Sequence, residues 1–340
     1  MRKRWLTLTV VAIVTVLLAS VVAVTRGSSA SAAHKAAFSA CLVTDVGGLN
    51  DKSFNHLAYV GLLQAEKTGV KGRVIQSKSS ADYIPNLQAC VKNGAGITIG
   101  VGFLMQDAMD AVATSFPNNK FAIVDVDISG LKHKPKNVQG LLFKEQEAGY
   151  LVGYAAGLWA KANGGQAVGS VGGIKIPPVD RYIAGFQYGA KKADPGIKTL
   201  NDYSQDFVAQ PKCKEKALGQ IAAGSVVEFQ VAGQCGLGVL DAAHEKNIFG
   251  IGVDADQGYL GPWVMTSALK RVDVAVNSAI VAAKAGQLKT GINAIYGATK
   301  NGVGYGKWSP KVPASIRAAV AAQYKLLRLG KIKGIPSAVK

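Results

Sequence analysis

Carboxylates, two phenylalanines and one lysine recur beside glycine turns in this chain, and together they suit the capture of a small polar molecule. The run Thr44–Asn55 holds Asp45, Phe54 and Asn55 around Gly47 and Gly48, whose backbone turns tightly, and either Asn50 or Asp51 suits a helix cap. Asp107 follows Gly100-Val101-Gly102, but no full dinucleotide fingerprint continues from it. Further on come Asp206-Phe207, the loop Ala232–Gly238 with Gly233, the pair Asp254 and Asp256, and Lys270 within Thr266–Arg271. Carboxylates accept hydrogen bonds from hydroxyls, and an aromatic face stacks on a flat heterocycle. A ribose joined to a base asks for both. No arginine cluster or P-loop accompanies them, which speaks against a phosphorylated ligand. The plain structural alternative for Thr44–Asn55 is a strand-to-helix turn with an ordinary cap and a core phenylalanine.

Catalysis has weaker support. Asp125-x-Asp127 follows an apolar run, but a metal-dependent nucleoside hydrolase needs a compact aspartate cluster near the start of the chain, and none is present. The four histidines, His34, His56, His133 and His244, are scattered, and none has metal-ligand spacing; His244 reads as a surface helix residue. The expectation is no metal, no cofactor and no enzymatic activity.

These residues need elements to position them. Strands are expected at Phe38–Thr44, Arg73–Ser77, Ile97–Val101 and Phe121–Val126, alternating with helices near Lys52–Thr68, Tyr83–Asn93 and Met105–Ser115. The pattern restarts with a long helix, Glu145–Ala162, which carries small residues on one face. Strands follow at Ala167–Gly172, Thr199–Tyr203, Val226–Val231 and Ile248–Val253, with helices at Val179–Lys192, Pro211–Ala223 and Gly238–Lys246. A strand and helix within Val264–Ala285 and a last helix, Ile316–Leu329, complete the chain. Alternating strands and helices make parallel sheets covered on both faces, and ligands sit beyond the carboxyl ends of such strands. The expected organisation is a first lobe of residues 38–140 plus 254–290 and a second of 141–253 plus 291–340.

Ahead of both lobes, Arg2-Lys3-Arg4, an uncharged run from Trp5 to Val24, and small residues ending in Ala30-Ser31-Ala32 read as an export signal over residues 1–33 or as a retained anchor. Cys41 opens an apolar strand well past that run and reads as structural, not as a lipid-attachment site. The formal charge of +18 is spread over scattered lysines, with small clusters at Lys132–Lys136 and Lys325–Lys333, and no aromatic-interleaved stripe points to nucleic acid. It reads as a solvated surface suited to an anionic cell envelope. Four cysteines allow three pairings in an exported chain. Cys41–Cys90 and Cys213–Cys235 are favoured because each then lies within one lobe, and each bridge would stabilise by roughly 3–4 kcal/mol.

The runs VTDVGGLNDKSFN, GVGFLMQDA, NVQGLLFKEQEAGYLVGYAAG, VGGIKIPPVDRYIAGFQYGA, QVAGQCGLGV, IGVDADQGYL and TSALKRVDVAV resemble the basic membrane protein family, from about Cys41 to Val276. That resemblance implies an α/β, type I periplasmic-binding-protein fold: two doubly wound parallel-sheet lobes joined by three hinge crossings. It implies an extracytoplasmic, membrane-associated, monomeric solute-binding protein that delivers a nucleoside, a purine nucleoside in particular, to ABC permease subunits. A sensor for another small polar solute is the alternative. By matching motifs, Asp45, Phe54, Asn55, Asp107, Phe207, Gly233, Asp254 and Lys270 fall at the family's ligand site. Phe54 and Phe207 would sandwich the base, Asp254 (or Asp256, at the same strand end) and Lys270 would hold the ribose, and Asp107 would accept from base or sugar. The family's usual lipid-bearing cysteine is missing, and Gln234-Cys235 departs from its glycine-rich loop.

Overall fold

A computed structural model describes residues 37–339, so the expected signal or anchor lies outside the described residues. The first run of elements is β1 (Ser39–Thr44), α1 (Phe54–Glu66), β2 (Lys71–Gln76), α2 (Tyr83–Lys92), β3 (Ile97–Val101), α3 (Gln106–Ser115), β4 (Phe121–Val124) and β5 (Val138–Phe143). Then come α4 (Glu145–Ala162), β6 (Ala167–Gly172), α5 (Pro177–Ala193), β7 (Lys198–Tyr203), α6 (Gln210–Ala222), β8 (Ser225–Val231), α7 (Leu237–Glu245), β9 (Phe249–Asp254) and β10 (Val264–Lys270). Last are α8 (Val272–Lys284), β11 (Ile292–Tyr296), β12 (Val303–Tyr305) and α9 (Ala314–Arg328).

The strands form two six-stranded sheets, ordered β11-β5-β4-β3-β1-β2 and β12-β10-β9-β8-β6-β7. Every pairing is parallel except β10 with β12. Central strands such as β3 (Ile-Thr-Ile-Gly-Val) are buried along their whole length, as strands covered on both faces must be. The edge strands β2 and β7 carry the polar, partly exposed residues. In both sheets the third-to-second connection in that order, β4 to β5 and β9 to β10, has no α-helix, only a single 3-10 turn.

The chain passes between the sheets after Phe143, after Lys270 and after Tyr296. This corrects the expected lobe boundaries. β10 was assigned with the first lobe, but it lies between β9 and β12 in the second sheet, because consecutive strands with a short connection pair with each other. β11, assigned to the second lobe, pairs with β5 in the first, where Gly291 N donates to Val138 O. The first lobe is therefore 39–143 with 272–296, and β5, not anticipated, belongs to it.

Helices α4 and α5 pack on the second sheet with almost no space between their backbones. The small face expected on Glu145–Ala162 explains this: a Cβ on Gly153 would stand 2.0 Å from Phe186 O, and one on Gly149 2.1 Å from Tyr182 O. Gly185 and Gly189 meet α4 from the other side in the same way. The close seat matters for function, since α5 carries Tyr182 and α4 begins with Glu145.

Glu228 on β8 is fully buried beneath α6, and among the described residues the nearby Ser225 Oγ donates to Val227 O, leaving both carboxylate oxygens without a hydrogen bond. Burial pushes its pKa up from 4.5 to about 8. A carboxyl that holds its proton more tightly when folded stabilises most below its unfolded pKa. Stability then declines as pH rises from about 4.5 toward 8. Glu228→Gln keeps the shape and removes the titration. Urea unfolding should find it more stable than the parent by about 2–4 kcal/mol at pH 8, with little gain at pH 4. Equal stabilities at both pH values would mean that water reaches Glu228.

Candidate functional site

The carboxyl ends of both sheets face one cleft, lined from the first lobe by Asp45, Phe54, Asn55 and Asp125 and from the second by Tyr182, Phe207, Gly233, Asp254 and Lys270. The first wall is built on the turn after β1. Asp45 Oδ1 accepts from Gly47 N at 2.9 Å and Asn55 Nδ2 at 2.8 Å, leaving Oδ2 without a protein partner. Gly102, at φ 111°, sits beside that free oxygen; a Cβ there would come within 2.6 Å of it. Asp51, two residues ahead of the N-cap Ser53, satisfies the start of α1, accepting from the backbone N–H groups of Ser53, Asn55 and His56 at 3.0, 2.7 and 3.1 Å. It thereby fixes Phe54, the first helical residue, and Asn55. Asn55 Oδ1 is buried and unpartnered.

The second wall hangs on the ends of β9 and β10. Asp254 adopts a left-handed backbone, φ 59°, and receives Ser53 Oγ at 3.0 Å on one oxygen and Tyr182 OH at 3.0 Å on the other. The Ser53 contact crosses the cleft. Phe207 stands on a loop after β7 that is held from both sides: Asp206 accepts from Val208 N and Ala209 N, and Cys235 N donates to Phe207 O at 3.0 Å. Cys235 is in turn bonded to Cys213 on α6.

Lys270 is 1% exposed and is the one cation among the cleft's described lining residues. Its Nζ lies 2.6 Å from Asp125 Oδ2 of the first lobe and 3.0 Å from Glu145 Oε1 at the start of α4. Arg181 secures the other oxygen of Glu145 at 2.7 Å. The rings of Phe54 and Phe143 each lie 5.0 Å from the ammonium, close enough to stabilise it further. Asp125, like Asp254, has a left-handed backbone, φ 68°.

Burial penalises every charge here. It raises Asp45 to about 6, against the hydrogen bonds from Asn55 and Gly47. It raises Asp125 to about 7, with Lys270 opposing and Glu145 adding. Asp254 is also raised by burial, with Lys270 opposing. For Lys270 burial works against the charged form, but Asp125, Glu145 and Asp254 outweigh it and hold the ammonium above its ordinary range.

Of the expected residues, Asp45, Phe54, Asn55, Phe207, Gly233, Asp254 and Lys270 come together in this cleft. Asp107 does not. A 3-10 turn, Phe103–Met105, intervenes between β3 and α3, so Gly102 and Phe103 reach the cleft while Asp107 points to solvent on the first turn of α3. Asp256, the alternative to Asp254, accepts from Gly258 N and Lys307 N outside the lining. Sequence reasoning does not bring Asp125 and Tyr182 to this cleft, nor Glu145 to Lys270. Asp125 carried a signal, an aspartate directly after a strand, but its partners are distant in sequence. Both disulfides pair as expected, Cys41–Cys90 and Cys213–Cys235, so Cys41 is bonded within β1's lobe. His244 is exposed on α7 as expected, and its ring stacks on Trp263 at 3.7 Å.

Comparison with known proteins places this geometry. Residues 38–332 match the family described as ABC transporter substrate-binding protein PnrA-like. The chain is 31% identical to the ABC transporter nucleoside-binding protein BmpA of Lactococcus lactis, over 99% of this chain and 100% of that one. It is 34% identical to an uncharacterized lipoprotein of Pyrococcus furiosus, over 90% of this chain and 78% of the relative. Among solved structures, an ABC transporter solute-binding protein from Aeropyrum pernix superposes with a TM-score of 0.78 at 28% identity, covering 88% of this chain and 94% of that one.

Proposed function

This chain belongs to the Bmp family of PnrA-like ABC-transporter substrate-binding proteins, and from that premise we propose that its interlobe cleft binds a purine nucleoside. The coarser role follows from the family: such a protein is not an enzyme, and it captures a small molecule for the permease subunits of an importer. That work belongs on the extracytoplasmic face of the membrane, which agrees with the export-like N-terminal sequence.

The observation that carries the nucleoside reading is the surplus of acceptors in a cleft flanked by aromatic rings. Among the described residues Asp45 Oδ2, Asn55 Oδ1 and Asp125 Oδ1 have no protein donor, whereas the one lining ammonium is already shared by two carboxylates. Buried polar groups need partners, so the fitting ligand is rich in donors. Ribose hydroxyls and the N–H edge of a base supply them. Phe54 and Phe207 approach from different lobes and offer faces to a planar base. A phosphate would meet Asp45, Asp51, Asp125 and Asp254 with only Lys270 to offset them. The relative from L. lactis, nucleoside-binding by name, points the same way.

Calorimetric titration of unfolded and refolded protein, freed of carried-over ligand, tests the reading with adenosine, guanosine, inosine, uridine, free ribose and a nucleoside monophosphate. Tight binding is expected for purine nucleosides, with ribose and the monophosphate at least about 100-fold weaker. Binding of ribose as tight as inosine would remove the rings from recognition. Failure of every nucleoside would leave the fold and the family and discard the ligand.

A further inference from the structure

The amino-terminal edge of the first sheet, opposite the cleft, carries a row of lysines that the binding function does not use. β11, β5 and β4 are neighbours there, and Lys289, Lys136 and Lys120 stand just ahead of them. Backbone contacts draw these segments together: Gly291 N donates to Val138 O, and Phe121 N to Asn137 O at 3.0 Å. The loop that leads into β5 adds Lys132 and Lys134. None of the five is ion-paired among the described residues, and all but the half-buried Lys120 are exposed.

Two features separate this row from ordinary surface charge. Lysines at helix ends, such as Lys92 and Lys284, are explained by the helix dipole, but these five lie on no helix. The loop is also held rigidly. Buried Asp110 accepts from His133 N at 3.1 Å and meets its Nδ1 at 2.7 Å, while Asn137 Nδ2 donates to the carbonyls of Ala113, Phe116 and Asn119. Asp110 is thereby occupied beneath the loop, and Glu66, the exposed acid of this end, lies across the sheet beside Gly72. The cleft end, by contrast, gathers Asp45, Asp51, Asp125, Glu145 and Asp254.

We infer that this edge is a docking face for a bilayer containing anionic lipid headgroups. Basic residues gathered ahead of three adjacent strands suit an anionic surface, and each lysine near such a surface adds to the attraction. The described chain begins at this same edge, at Ala37 ahead of β1, and what precedes it in sequence includes a 21-residue uncharged run between Arg4 and Arg26. With the basic edge on lipid, the acidic cleft opens away from it. The face thus serves the protein while it samples solutes, and delivery requires it to let go.

Residues Ala37–Lys340 are a compact unit by themselves, which allows the test without the apolar leader. Sedimentation with vesicles of phosphatidylcholine plus phosphatidylglycerol, against phosphatidylcholine alone, should show binding to the first that weakens with salt. Changing Lys120, Lys132, Lys134, Lys136 and Lys289 to Gln should weaken it by about ten-fold or more. The same change at Lys161, Lys191, Lys192, Lys198 and Lys246, around the corresponding edge of the second sheet, should cost less than about two-fold. Equal losses in the two variants would reduce the effect to net charge and overturn the assignment. So would absence of binding at 0.1 M salt, or duplex DNA binding as tightly through the same lysines.

Discussion

Lys270→Met should lower the stability of this protein by about 3–5 kcal/mol near pH 8, the largest loss expected from any single cleft substitution. Lys270 is buried, and two carboxylates, Asp125 and Glu145, lie within 3.0 Å of its ammonium. Methionine fills the space and leaves those charges facing each other in a dry site, with only Arg181 on the far side of Glu145. The pH dependence has a definite sign. Asp125 already titrates near 7 with Lys270 opposing the rise, so removing Lys270 pushes it higher still. Below that pKa the carboxyl takes up a proton and the penalty fades; above it the penalty is felt in full. Urea unfolding at pH 5 and pH 8 should therefore give a deficit that grows with pH. A deficit under about 1 kcal/mol, the same at both, would place the pair in solvent. Asp125→Asn should be much milder, because Glu145 still compensates the ammonium.

Phe207→Ala should weaken purine nucleoside binding by about 10- to 100-fold, the range expected when one stacking face is removed from a base. Stability should change little, since Phe207 is half-buried on a loop that Asp206 and Cys235 hold through its backbone. Phe54 makes a poorer probe, because its ring also lies against Lys270, and truncating it disturbs the charge cluster as well. Calorimetry with inosine and with ribose separates the possibilities. Loss confined to inosine supports stacking, whereas unchanged affinity for inosine would remove Phe207 from the site.

Much of this architecture was legible because parallel sheets write themselves as apolar runs ended by glycine turns. Ala167–Gly172 has the bounds expected from sequence, and Asp45, Asp254 and Lys270 were found by looking just past strands. What failed was non-local. β5 follows a lysine-rich loop with no helix before it, so nothing local announced it. β11 lies in the other lobe because its pairing partner, Gln139, is far earlier in sequence, whereas β10 stays with β9, the strand just before it, across a connection with no α-helix. Asp107 missed the cleft because one 3-10 turn rotates the start of α3, and that rotation has no signature in spacing. The partnership of Lys270 with Asp125 spans 145 residues and two lobes.

The matching strand orders of the two sheets have a consequence for selectivity. β4 in one occupies the place of β9 in the other, and each ends in Val-Asp-x-Asp with the first aspartate left-handed. The two sheets thus share one strand order, apart from the sense of the outer strand, parallel for β11 and antiparallel for β12. Asp125 and Asp254 hold equivalent places in the two sheets, and on their own they could not tell one end of a guest from the other. Orientation must come from the places where the two sheets differ. Asp45 after β1 corresponds to Gly173 after β6, and Lys270 ending β10 stands where β5 has Phe143. The proposed nucleoside, polar at one end and flat at the other, would be read by those broken correspondences.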